Sequence, residues 1–133
     1  GRGASLSDNL TVQGLLDLGK TGVIEFPTGL KVGFLSIYGC DIEALPTDIQ
    51  IKKDLNAEFS SLKVVPPMKL TGDLTLSDSK VTELPAGLKI GGELDLMNTE
   101  IKQLPKDLKA KVIFVDDPEA FADAPDKLKD LIH

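Results

Sequence analysis

The sequence predicts a mainly β solenoid: short coils stacked side by side, one strand of each joining a parallel sheet, with a helical cap at the C-terminal end. Three observations carry this. An apolar anchor returns every 19 or 20 residues, at Leu6, Phe26, Leu45, Val65, Leu84 and Leu104, and proline follows all but the first. An alternating apolar pair lines up behind each anchor: Leu16/Leu18, Leu35/Ile37, Leu55/Ala57, Leu74/Leu76, Leu94/Leu96 and Val112/Phe114. After Val115 the pattern stops and a helix start follows.

The unit reads L-P-x-x-L-x-(V/I)-G-G-x-L-x-L-x-x-T-x-I-x-x, with single deletions near Gly33 and Pro67 and a shortened last copy. The anchor's proline bars helix and sheet continuation, so the chain must bend there. Asn9, Gly29, Asp48, Gly87 and Asp107 follow, where a turn wants Asn, Gly or Asp. Leu10, Leu30, Ile49, Met68, Leu88 and Leu108 form the next apolar column. Gly14, Gly33, Gly72 and Gly92 precede the strand and predict a tight turn. The L-x-L segment alternates, as a short strand with one buried face does. Beyond it, Val23, Ile42, Leu62, Val81 and Ile101 make a last apolar column. One such unit cannot bury its own apolar side chains; stacked units bury them in one continuous core.

Thr21, Cys40, Ser60, Ser79 and Thr99 form a column of small polar residues just past the strand. Inside a solenoid, such a ladder satisfies backbone donors and acceptors. Cys40 belongs to it, which makes it a structural residue and not a nucleophile or metal ligand. The repeats occupy residues 6–115. In residues 116–133, Asp116-Asp117-Pro118-Glu119 combines a capping acid, an early proline and a first-turn acid. Phe121, Leu128, Leu131 and Ile132 are the side chains expected to cover the last coil. Residues Arg2 to Ser5 are too short to supply a matching N-terminal cap, so either the first coil is the cap or the fragment begins inside a larger chain.

The pattern L-x-L-x-x-(T/C/S)-x-(I/L)-x-x-L-P resembles the leucine-rich repeat in its short bacterial and phage form, over Leu6 to about Val115. It is also similar to the repeat domains of secreted bacterial ubiquitin-ligase effectors. It departs from the family in having Thr, Ser and Cys where Asn usually stands. The resemblance implies a parallel sheet on a concave face, short turns on the convex side, and binding on the concave face. It is nearly silent about function.

Composition narrows the function classes. A net charge of -6 argues against general affinity for nucleic acid or anionic lipid. No apolar run is long enough to span a bilayer. No signal peptide is visible and one cysteine cannot form an internal disulfide, which favours the cytoplasm. The single histidine is His133, and no nucleophile, zinc or phosphate-loop motif occurs, so neither an enzyme, a cofactor nor a metal is expected.

The expected partner is another protein. The outward positions flanking the pairs are Leu15, Phe34, Asp54, Asp73, Glu93 and Lys111, then Asp17, Ser36, Asn56, Thr75, Asp95 and Ile113, then Gly19, Tyr38, Glu58, Ser77, Met97 and Val115. From them Phe34, Tyr38, Asp54, Glu58, Asp73, Glu93 and Asp95 are taken as the binding residues, two aromatic anchors among acids that call for a basic patch on the partner. Like charges stacked at strand spacing repel, and carrying them supports a role. A second column, Lys31, Lys69, Lys89 and Lys109, reads as a solubilising rim. A bacterial effector or phage-encoded host-directed protein fits this class. The alternatives are a rigid spacer in a larger protein or virion, and an inhibitor that mimics nucleic acid.

Overall fold

The computed structural model describes residues 9–19 and 26–133. Leu6, Thr21 and Val23 lie outside the described residues. The chain forms a β-solenoid of about five turns with little helix. Strands β1 (Thr11–Asp17), β2 (Lys31–Ser36), β3 (Gln50–Asn56), β5 (Leu74–Thr75), β7 (Glu93–Asp95) and β8 (Val112–Phe114) pair in that order into one parallel sheet. Two shorter strands, β4 (Lys69–Leu70) and β6 (Lys89–Ile90), pair in a second sheet.

The register joins equivalent positions of successive units. Leu16 pairs with Leu35, Leu35 with Leu55, Leu55 with Leu74, Leu74 with Leu94, and Leu94 with Ile113. Their side chains share one face, and from Leu35 onward each is buried. The neighbouring columns Ile42, Leu62, Val81, Ile101 and Leu30, Ile49, Leu88, Leu108 close the same core. In β1 to β3 the backbone runs through the bend as one strand with a shift of register, beside the residue missing at Gly33. In later coils Thr71-Gly72 and Gly91-Gly92 divide it, which creates the second sheet.

The expected bend is present at Thr71-Gly72 and Gly91-Gly92, and there the glycines serve close approach of the coils and not a left-handed backbone. None has a positive φ. A Cβ on Gly91 would stand 2.6 Å from the Thr71 carbonyl oxygen of the preceding coil. Gly91 N donates to Leu70 O at 2.8 Å and Gly92 N to Gly72 O at 2.8 Å, so adjacent coils meet backbone to backbone. Positive φ appears elsewhere: at Asn9, Gly29 and Gly87 after the anchor, and at Gly39, Phe59, Asp78 and Asn98 after the strand. At Asp48 and Asp107 the turn column works differently. Their carboxylates accept from Gly29 N and Gly87 N of the preceding coil, each at 2.8 Å.

The polar ladder is present at Cys40, Ser60, Ser79 and Thr99. Cys40, Ser60 and Ser79 are buried. The hydroxyls mostly close their own turn: Ser60 Oγ donates to Ala57 O at 2.6 Å, and Thr99 Oγ1 to Leu96 O at 2.8 Å. Cys40 Sγ reaches across coils to Leu18 O at 2.7 Å.

The last repeat corrects the sequence reading. Val112 and Phe114 were expected inside, with Lys111, Ile113 and Val115 outward. Instead Ile113 and Val115 are buried, and Val112 and Phe114 lie half-exposed on the outer face. One residue is missing ahead of β8, and a shift of one exchanges the two faces of a strand. Ser77, also expected outside, is buried.

Beyond Val115 come a single 3₁₀ turn, Pro118–Phe121, capped by Asp117, and one α-helical turn, α1 (Asp126–Lys129). Phe121 and Leu128 are buried against the core. The chain then returns to the sheet. Ile113 N donates to Leu131 O at 2.8 Å, and His133 N to Ile113 O at 2.8 Å. This adds a rung beside β8 and brings the His133 ring 6.4 Å from that of Phe114.

Candidate functional site

The outward face of the six-stranded sheet carries the residues singled out from sequence. Phe34 pairs with Asp54 across β2 and β3, and Asp73 and Glu93 hold the equivalent places ahead of Leu74 and Leu94. Asp95 continues the row Ser36, Asn56, Thr75. Tyr38 and Glu58 follow at the turns beyond the strands, where Gly39 N donates to Glu58 O at 3.1 Å. From Tyr38 in the second coil to Asp95 in the fifth is three strand spacings, about 14 Å. Among the described residues these side chains spread over a broad surface.

The acids divide by what they touch. Asp54 Oδ1 accepts from Asp73 N at 2.7 Å, and Asp73 Oδ1 accepts from Glu93 N at 2.8 Å. Each carboxylate lies over the glycine that precedes its donor, Gly72 or Gly92, in the space a Cβ would need. Asp and Gly are therefore coupled across coils. Asp95 instead turns onto its own strand end, accepting from Met97 N at 3.0 Å, as Asn56 does from Glu58 N at 3.0 Å and Asp17 from Gly19 N at 2.8 Å. These bonds satisfy backbone donors that the short strands leave over. None of Asp54, Glu58, Asp73, Glu93 and Asp95 forms an ion pair among the described residues.

The aromatic residues carry more information. Phe34 is half-buried, with the Lys53 ammonium 5.2 Å above its ring. Tyr38 is exposed and meets Phe59 edge to face, ring centroids 5.7 Å apart at 74°. Phe59 has φ +55 and leaves 53% of its surface exposed. Sequence reasoning missed it, because it lies one residue past the flanking columns. Its own column was the signal: Gly39, Asp78 and Asn98 suit a left-handed backbone, and Phe does not.

Among the described residues no three His, Cys, Asp or Glu side chains converge as a metal site requires. In the lysine column, Lys69, Lys89 and Lys109 stand in direct register. Lys89 is partly relieved by Asp107, donating to its carbonyl oxygen at 2.6 Å and lying 3.7 Å from its carboxylate.

No protein-family model, no curated protein and no solved structure matches the chain.

Proposed function

We propose that this chain is a non-catalytic protein-recognition module, a leucine-rich-repeat solenoid that binds a partner protein on the outer face of its six-stranded sheet. In this reading that face is the concave one, and Asp116–His133 is the C-terminal cap. Burial of Phe121 and Leu128 against the last coil supports the cap. The class includes a bacterial effector or a phage-encoded host-directed protein.

One observation carries the binding reading. Phe59 holds a left-handed backbone that costs an ordinary L-residue roughly 1–2 kcal/mol. Three other coils make the same turn with residues that tolerate it. The edge-to-face contact with Tyr38 offsets about 0.5–1.5 kcal/mol of that cost, yet half of the phenyl surface stays exposed. Strain kept at an exposed aromatic pair is what a contact surface explains. Tyr38 and Phe59 then anchor the partner, while Glu58 and Glu93, whose carboxylates accept no backbone N–H among the described residues, steer a basic patch toward them.

The test is affinity capture with the purified protein against a Tyr38→Ala/Phe59→Asn variant and a Lys89→Gln/Lys109→Gln variant. A protein retained by the parent and the lysine variant but lost from the aromatic variant supports the reading. Equal capture by parent and aromatic variant sinks it. So does an empty eluate, which leaves the rigid spacer as the better description.

A further inference from the structure

A second surface has the opposite charge. A groove of about 790 Å³ lies along the bend between the first four coils. Lys31, Lys52, Lys53 and Lys69 stand exposed at its margin, and the buried Val32 and Ile51 line it from beneath. Among the described residues no Asp or Glu lines it. None of the four ammonium groups has a carboxylate within 4.0 Å among the described residues. This is notable in a chain with 21 acids against 15 bases, where other lysines pair with Glu43, Glu100, Asp107 and Asp126. Four like charges around one concavity repel, with Lys53 also lying over the Phe34 ring, so an anion placed there relieves the groove of that repulsion.

We propose that this groove binds an extended acidic peptide segment, with carboxylates alternating with apolar side chains. The distribution of charge selects that chemistry over a single-headed anion. Lys31 and Gln50 are register partners, and Lys69 holds the equivalent place one coil on, so Lys31 and Lys69 are about 10 Å apart along the stack. One phosphate or carboxylate reaches one or two of the four. An extended peptide advances about 3.3 Å per residue, so alternate carboxylates fall about 7 Å apart and meet several. Side chains between them point the other way, toward Val32 and Ile51. The Gln13 and Gln50 amides, also in the lining, can pair with the peptide backbone. The site is independent of the aromatic pair.

The probe is a fluorescein-labelled peptide of alternating glutamate and leucine, titrated at low salt by fluorescence anisotropy. Saturable binding that weakens as salt rises is expected. Lys52→Glu/Lys69→Glu should weaken it at least about tenfold, which corresponds to about 1.4 kcal/mol spread over two reversed contacts. Lys52→Gln/Lys69→Gln should give a smaller loss in the same direction. Lys106→Glu/Lys127→Glu, with the same change in net charge away from the groove, should leave affinity within about twofold. Tyr38→Ala should bind the peptide like the parent, which keeps this test separate from that of the sheet face. Four results overturn the proposal: no saturable binding, equal affinity for a glutamine–leucine peptide, an equal loss in the control variant, or equally effective competition by tripolyphosphate.

Discussion

Gly92→Ala should destabilise the protein far more than its half-buried setting suggests. A Cβ at Gly92 would collide with the Asp73 carboxylate and stand 2.9 Å from the Gly72 carbonyl oxygen and 3.0 Å from its carbon. The carboxylate can swing away, but it then loses its bond to Glu93 N, worth about 0.5–1.5 kcal/mol net. The backbone contact cannot be relieved that way, because Gly92 N is itself bonded to Gly72 O at 2.8 Å. Overpacking of this kind costs about 1–3 kcal/mol. The sum is about 1.5–4.5 kcal/mol, read as a lower urea midpoint at unchanged slope. Asp73→Ala alone should cost about 1 kcal/mol, the hydrogen bond only. In the double variant the two losses should fall short of their sum, since the carboxylate no longer competes for the space. Gly14→Ala is the matched control: among the described residues nothing lies within 4 Å of its Cβ, so it should be neutral within about 0.5 kcal/mol or slightly stabilising. A Gly92→Ala variant as stable as the Gly14→Ala variant, or strict additivity with Asp73→Ala, would refute the coupling.

Two further outcomes test the core. Ile113→Asp should abolish cooperative thermal unfolding, whereas Phe114→Asp should leave a folded protein, because only Ile113 points inward; the reverse order would restore the register read from sequence. Cys40→Ser should fold like the parent, and native Cys40 should react slowly with a thiol reagent until urea is added, because it is buried; rapid labelling of the native protein would contradict its place in the ladder.

The core was legible because two periods coincide in it. Alternation within L-x-L fixes which face is inside, and the 19- or 20-residue return fixes which residues stack. Where one period fails, the reading fails. Val112-Ile113-Phe114-Val115 is apolar throughout, so alternation cannot choose a face, and the return length had lost a residue just upstream. Ser77 was misplaced for a related reason. It stands after the strand has ended, where the turn and not the pleat directs the side chain. The coupling of Asp54 to Gly72 and of Asp73 to Gly92 was invisible to any reading along one unit, because each pair is separated by nearly a full repeat.

The acidic face shows why charge by itself was a weak guide to a binding site. Among the described residues, every carboxylate that accepts a backbone N–H is an aspartate: Asp17, Asp48, Asp54, Asp73, Asp95, Asp107, Asp116 and Asp117. The chemistry explains the choice. A carboxylate one bond from Cβ reaches a donor two residues along its own chain or in the next coil, while the longer Glu side chain overshoots both and loses more rotamer freedom when held. A solenoid whose later strands are two or three residues long, and whose first three carry a shift of register, leaves such donors at its bends and strand ends, and it uses Asp to meet them. Most of the negative column therefore follows from the fold. Glu58 and Glu93 do not: among the described residues neither carboxylate accepts a backbone N–H or forms an ion pair. On a surface where short acids hold the coils together, the carboxylates of Glu58, next to Phe59 in the chain, and of Glu93, two coils on, are the ones the fold leaves unused, and in the proposed reading their charge faces the partner.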